Sequence, residues 1–152
     1  NILEEKYAEG KSTNEIIALL DINSITAYNW GGGTDYIKLG EHSISLRDKW
    51  DSILSIPYFP NVTVGWDDSP RFPERGKEVV YINNSPGSFA AYLQKAKEYA
   101  DNHPEQPGLI TINAWNEWTE GSYLEPDMKW GYGYLEAVKN VISGKYDPYS
   151  KK

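Results

Sequence analysis

The chain has 152 residues, 39% of them hydrophobic, a net charge of -7 and an isoelectric point near 4.8. That is enough apolar material for one globular core, and the acidic balance excludes a polyanionic partner held by clustered lysines and arginines, so no nucleic acid is expected. With no cysteine there are no disulfides, thiolate metal sites or thiol nucleophiles, and no apolar run reaches the ~20 residues that span a bilayer, so no membrane is expected either.

In chain order, Ser12 or Thr13 can cap a first helix whose apolar stripe is Ile16, Ile17, Leu19 and Leu20. Ser24 to Trp30 is rich in strand formers and runs into Gly31, Gly32 and Gly33, which reads as a strand entering a loop. Leu46, Trp50, Ile53 and Leu54 predict a second helix from about Leu46 to Ser55, closed by Pro57 and Pro60. Asn61 to Trp66 is the next strand, followed by the polar loop Asp67-Asp68-Ser69-Pro70-Arg71. Helical spacing of Phe89, Tyr92, Leu93, Ala96 and Tyr99 predicts a third helix from Ser88 to Asn102. Gly108 to Ala114 reads as a third strand, apolar enough to be buried on both faces. Tyr134 to Ile142 is a last amphipathic helix, stopped by Gly144.

This alternation predicts an α/β class with parallel crossovers. Three strands do not close a barrel, so residues 1–152 read as a single α/β unit, the C-terminal part of a (β/α)8 TIM-type barrel that needs ~250 residues. A small open sheet is the alternative. Asn1, with no basic and apolar leader after it, reads as the middle of a longer polypeptide, which would associate with the missing part of the barrel or with a second copy. Either architecture puts ligands at the carboxyl ends of the strands.

Those three ends carry similar chemistry: Tyr28, Asn29 and Trp30; Trp66, Asp67 and Asp68; then Asn113, Trp115, Asn116, Glu117, Trp118, Glu120 and Tyr123. Tyrosine and tryptophan dominate the aromatic set, twelve and six against three phenylalanines. Such rings combine a face for the C–H side of a pyranose with a hydrogen-bonding edge for its hydroxyls. Carbohydrate is therefore the expected ligand, although any one of these rings taken alone also fits a core position. Glu117 and Glu120 are three residues apart and share a side only if the chain after Ala114 takes a helical turn, which Gly121 can end. Two neighbouring carboxyls in unequal surroundings can divide into acid and base, as glycosidases require. A bare Glu-x-x-Glu reads as a solvated acidic loop, but here Trp115 and Trp118 flank the first glutamate directly after an apolar strand. Asp67, Asp68, Glu117, Glu120, Glu125 and Asp127 are oxygen donors without a metal-ligand spacing, and His42 and His103 are isolated, so neither metal nor cofactor is expected.

The run Ile112-Asn113-Ala114-Trp115-Asn116-Glu117-Trp118-Thr119-Glu120-Gly121-Ser122-Tyr123-Leu124-Glu125-Pro126-Asp127, with Gly65-Trp66-Asp67-Asp68-Ser69-Pro70-Arg71, resembles the signature of WbsX-like proteins, a group around the endo-α-mannosidases and endo-α-mannanases of glycoside hydrolase family 99. The resemblance implies that Glu117 is the base toward a sugar 2-hydroxyl, in a mechanism through an anhydrosugar. Glu120 is then the general acid and later the base. The chain departs from the mannosidase pattern at Thr119, where those enzymes tend to have histidine, and at Ser122-Tyr123. A retaining glycoside hydrolase is the first expectation, because the double carboxylate serves hydrolysis directly and no nucleotide-sugar motif is visible. A polysaccharide-building glycosyltransferase is the second, and a noncatalytic carbohydrate-binding fragment the third. A degradative hydrolase would be periplasmic or secreted, a biosynthetic enzyme cytoplasmic.

Overall fold

A computed structural model describes residues 10–75 and 80–149. Four helices alternate with short strands: α1 (Thr13–Leu19), β1 (Ile25–Thr26), α2 (Tyr36–Ile53), β2 (Tyr58–Phe59), β3 (Asn61–Thr63), α3 (Pro86–Asp101), β4 (Thr111–Asn113), β5 (Asn116–Glu117), β6 (Ser122–Tyr123) and α4 (Gly133–Ile142). The described residues also include the 3-10 turns Pro73–Arg75 and Trp118–Glu120.

The helix ends follow local chemistry. Ser12 and Glu15 form a reciprocal capping box at α1, and Ser85 caps α3, with Pro86 in its first turn. Helix α2 begins ten residues before the expected Leu46, because the Asp35 carboxylate accepts the Ile37 and Lys38 amides at 3.0 and 3.1 Å. Its first half contains Gly40, a poor helix former, and packing explains it. A Cβ at that position would lie 2.3 Å from the Tyr92 ring of α3, so only glycine lets the two helices approach.

The strands of the main α/β layer pair in parallel. Ile25 and Thr26 pair with Tyr58 and Phe59, and Asn61, Val62 and Thr63 pair with Thr111, Ile112 and Asn113. Pro60 separates β2 from β3, since it has no amide hydrogen for a ladder, yet its carbonyl accepts the Thr111 amide at 3.0 Å. The segment from Tyr58 to Thr63 therefore bonds β1 through its first half and β4 through its second, and the long expected strands shrink to two or three paired residues each.

The two faces of this layer differ. Val62 and Val64 project onto α3, where they join Phe89, Leu93 and Ala96 in the core, and Phe89 meets Tyr134 of α4 edge to face at 5.5 Å. The other face carries Thr26, Asn61, Thr63, Thr111 and Asn113. Thr26 and Thr111 hydroxyls lie 2.8 Å apart, Asn61 Nδ2 donates to Thr111 Oγ1 at 3.1 Å, and Thr63 Oγ1 donates to Asn61 Oδ1 at 3.2 Å. This corrects the expectation that Gly108 to Ala114 is apolar and buried on both faces. Only Asn113 is fully buried in β4, and alternation puts Thr111 and Asn113 on the polar side. Among the described residues no helix is long and apolar enough to cross a membrane.

Candidate active site

The segment after β4 forms a small hairpin. Asn116 and Glu117 pair antiparallel with Tyr123 and Ser122, and the 3-10 turn Trp118–Glu120 connects them. Gly121 ends the turn in the left-handed region at φ 59°, as glycine readily does. A side chain there would also collide, because a Cβ on Gly121 would sit 2.8 Å from Asp67 Cβ. The hairpin is pressed against the end of the β3 segment: the Asp67 amide donates to the Glu120 carbonyl at 2.6 Å, and Ser122 Oγ donates to the Asn113 carbonyl at 2.7 Å. The Asn113–Ala114 peptide is cis.

That turn puts both glutamates beside one cation. Arg71 Nη1 donates to Glu120 Oε1 at 2.6 Å, and Nη2 lies 3.7 Å from Glu117 Oε2. Nη2 also donates to Thr119 Oγ1 at 2.9 Å. The second Glu120 oxygen accepts the Tyr28 hydroxyl at 3.2 Å. The carboxylates are unequal in exposure: the Glu120 side chain is 11% exposed and the Glu117 side chain 41%. Burial pushes the Tyr28 hydroxyl above its ordinary range, with the Glu120 charge and hydrogen bond and the Glu117 charge acting the same way and the Asn113 amide opposing them.

The residues singled out from sequence separate into two groups. Tyr28, Asp67, Asn113, Glu117 and Glu120, from the ends of β1, the β3 segment and β4, gather around Arg71 or its hairpin. Trp118 extends this group outward. Its ring is 45% exposed, lies 3.8 Å from and nearly parallel to Tyr123, and is pinned by its indole N–H to Glu125 Oε2 at 2.6 Å. Trp115 and Asn116 are exposed on the same hairpin.

Trp30, Trp66 and Asn29 stand elsewhere. Trp30 packs between Tyr36 and Tyr92 and gives its indole N–H to the Asn61 carbonyl at 3.0 Å. Trp66 packs against the apolar core. The Asn29 carboxamide accepts the Gly31 amide at 2.9 Å, and Asn29 and Trp30 line a 660 Å³ cleft beside β1 that Tyr28 also lines. Arg71 and Thr119 were not among the sequence-predicted site residues. The available signal was Arg71 closing the polar loop after the second strand, and the departure at Thr119, which contacts it. Among the described residues no three or more histidine, aspartate or glutamate side chains are grouped to hold a metal ion.

Compared with known proteins, residues 4–138 match the family model described as Glycosyltransferase WbsX. Proteins named Uncharacterized protein WxcX from two strains of Xanthomonas campestris pv. campestris are each 37% identical over 86 residues, 56% of this chain. The aligned stretch is 12% of their length, so the chain spans only a small part of these relatives. No solved structure matches significantly.

Proposed function

The chain belongs to the WbsX glycosyltransferase family, and from that premise we propose that it carries the paired-glutamate centre of a glycoside hydrolase acting on a polysaccharide or glycan. The carrying observation is that Arg71 contacts both Glu117 and Glu120 at the strand ends while Tyr28 holds the second Glu120 oxygen. One cation between two carboxylates offsets their repulsion at close range, and the 3-10 turn that follows Glu117 and ends in Glu120 begins with the exposed Trp118.

In this reading the strands are the C-terminal part of an eight-stranded barrel, and the polar face of Thr26, Asn61, Thr63 and Thr111 turns toward its interior. The rest of a longer polypeptide, or a second copy, completes the barrel. Glu117 draws the proton from a sugar 2-hydroxyl as that oxygen attacks C1, while Glu120 gives a proton to the departing glycosidic oxygen. Glu120 then takes a proton from water as it opens the anhydrosugar at C1, and Glu117 returns its proton to O2. For the first step Glu120 must be protonated on the oxygen that Tyr28 holds, and the Tyr28 bond must be replaced by one to the leaving oxygen, since in the resting arrangement both Glu120 oxygens accept. Trp118 over Tyr123 supplies a stacking plane for the sugar. Tyr28, Asn113, Trp115, Asn116 and Tyr123 bind around it, and Asp67 backs the turn.

The family description favours a second reading, in which the same centre builds glycan by transfer from an activated sugar. The test is to incubate the natural full-length protein with a polysaccharide panel in 18O-labelled water, with and without nucleotide sugars. Hydrolysis predicts shortened chains carrying 18O at the new reducing end. Chain growth only in the presence of a nucleotide sugar would overturn the hydrolytic reading.

A further inference from the structure

Behind the Gly121–Asp67 contact lies a second concavity, of about 220 Å³, room for roughly seven waters and so of the order of one monosaccharide ring. Glu117, Glu120 and Arg71 do not line it. Its walls come from four parts of the chain: Trp66 and Asp67 after β3, Asn84 before α3, Gly121 and Tyr123 of the hairpin, and Asp127, Trp130 and Tyr134 around the start of α4.

The chemistry of these walls is mixed in the way a sugar needs. Trp66 is packed on the core and Trp130 is 37% exposed, so one ring is fixed by packing and the other is partly exposed, with the Lys129 ammonium over one of its faces. Asp127 is oriented by its neighbours in the wall, accepting the Lys129 amide at 2.9 Å, the Trp130 amide, and the Tyr123 hydroxyl at 3.1 Å. Asp67 is also oriented, its Oδ1 accepting the Ser69 amide and hydroxyl at 3.0 and 2.5 Å. Burial first, then the Asp127 charge, push the Tyr134 hydroxyl above its ordinary range, while the Asn84 side chain opposes this. The hydroxyl therefore stays protonated and can donate. Two carboxylates facing one space disfavour an anionic ligand, and the Lys129 ammonium is engaged over the Trp130 ring at 4.8 Å.

We propose that this pocket is a binding site for one neutral sugar residue of a glycan, with Trp130 as its stacking face and Asp67, Asn84 and Tyr134 as its hydroxyl partners. The assignment rests on the carbohydrate reading of the Glu117–Glu120 pair but places binding, without chemistry, on the far side of the Gly121 wall. Tyr123 joins the two sites, since it lines this pocket and stacks beneath Trp118.

The test uses the 15N-labelled full chain titrated with glucose, galactose, mannose, rhamnose, N-acetylglucosamine and glucuronic acid. At least one neutral sugar should shift the Trp130 indole and Asn84 carboxamide resonances. Trp130→Ala should weaken that binding about tenfold with the thermal melt nearly unmoved, and Tyr134→Phe should weaken it several-fold without losing the buried ring. Glu120→Gln should bind as the parent does, which separates failure of the pocket from failure of the acid–base reading. No shift with any neutral sugar, a response to glucuronic acid alone, or unchanged affinity in both pocket variants would overturn the assignment.

Discussion

Two arginine–carboxylate–tyrosine clusters stand at opposite ends of the parallel strands, and comparing them shows how place governs the use of the same groups. At the carboxyl ends, Arg71 is half-exposed and both its terminal nitrogens have partners in Glu120 and Thr119. At the other end, beside the first residue of β2, Arg47 of α2 is 3% exposed, and its Nε and Nη2 have no hydrogen-bond partner. Arg47 sits 5.9 Å from the Tyr99 ring, with Tyr58 and Asp51 nearby. Tyr99 donates to Asp51, and His103 stacks on Tyr99 at 4.1 Å with Nε2 3.5 Å from Asp51. These contacts link α2 to α3. Desolvation pushes the Arg47 guanidinium below its ordinary range. The lower cluster thus spends its polar groups on joining helices, whereas the upper one stands at the strand ends with the Glu117 side chain 41% exposed.

The largest expected effect separates the two upper glutamates. In the full-length protein, Glu120→Gln should lose roughly 10²- to 10⁴-fold in rate on a natural glycan, the usual worth of general acid–base catalysis. It should recover much of that loss on a glycosyl fluoride, whose leaving group needs no proton. Glu117→Gln should stay slow on both substrates, because a better leaving group cannot activate the 2-hydroxyl. Initial rates decide, and equal rescue of the two variants would erase the division of roles.

Next comes Arg71 itself. Arg71→Lys keeps a charge but loses the fork that reaches Glu120 and Thr119 together, so kcat/KM should fall by about 10²-fold and the pH–rate profile should shift, while thermal stability changes little. An unmoved profile would reduce Arg71 to a surface ion pair.

The lower cluster should respond in the opposite sense. Arg47→Met removes buried donors that lack partners and replaces them with a flexible apolar chain, so stability should rise by about 1 kcal/mol, within the range for replacing buried charges. The melting temperature should climb by about 2–4 °C, with catalysis untouched. A fall in melting temperature would mean that the charge of Arg47 stabilises the α2–α3 junction through Asp51 and Tyr99.

The mildest test is alkaline. Burial pushes Tyr81 and Tyr92 from 10.0 to about 12, and Tyr99 and Tyr28 also lie above the ordinary range. The unfolded chain therefore releases these protons first. Stability from the neutral phenols is fully present below about pH 10 and declines as pH rises toward 12. Chemical denaturation from pH 9 to 11.5 should show that decline, and Tyr92→Phe should flatten it. A slope unaffected by Tyr92→Phe would remove that hydroxyl, bonded to Ile37 and Glu41, as a source.

Helices α3 and α4 were legible because helical spacing of Phe89, Leu93 and Ala96 and of Tyr134, Ala137 and Val141 matches the face they bury. The start of α2 was not, because the fit of Gly40 against Tyr92 is a contact between residues 52 positions apart. The strands were found in order, but their pairing was hidden. Pro60 divides one stretch of chain between two neighbours, and alternation of Thr111, Ile112 and Asn113 has meaning only once one face meets α3.

By itself the sequence determined the α/β alternation, the absence of thiol chemistry, and the Glu117–Glu120 pair, whose i, i+3 spacing needs only a local turn that Gly121 ends. Tertiary structure decided which groups stand around that pair. Arg71 lies 49 residues from Glu120 and Tyr28 lies 92 residues from it, and no local propensity encodes a contact across such distances. It also decided that Trp30 and Trp66 serve packing while Trp118 stays open, since a ring's exposure depends on which helices close over it.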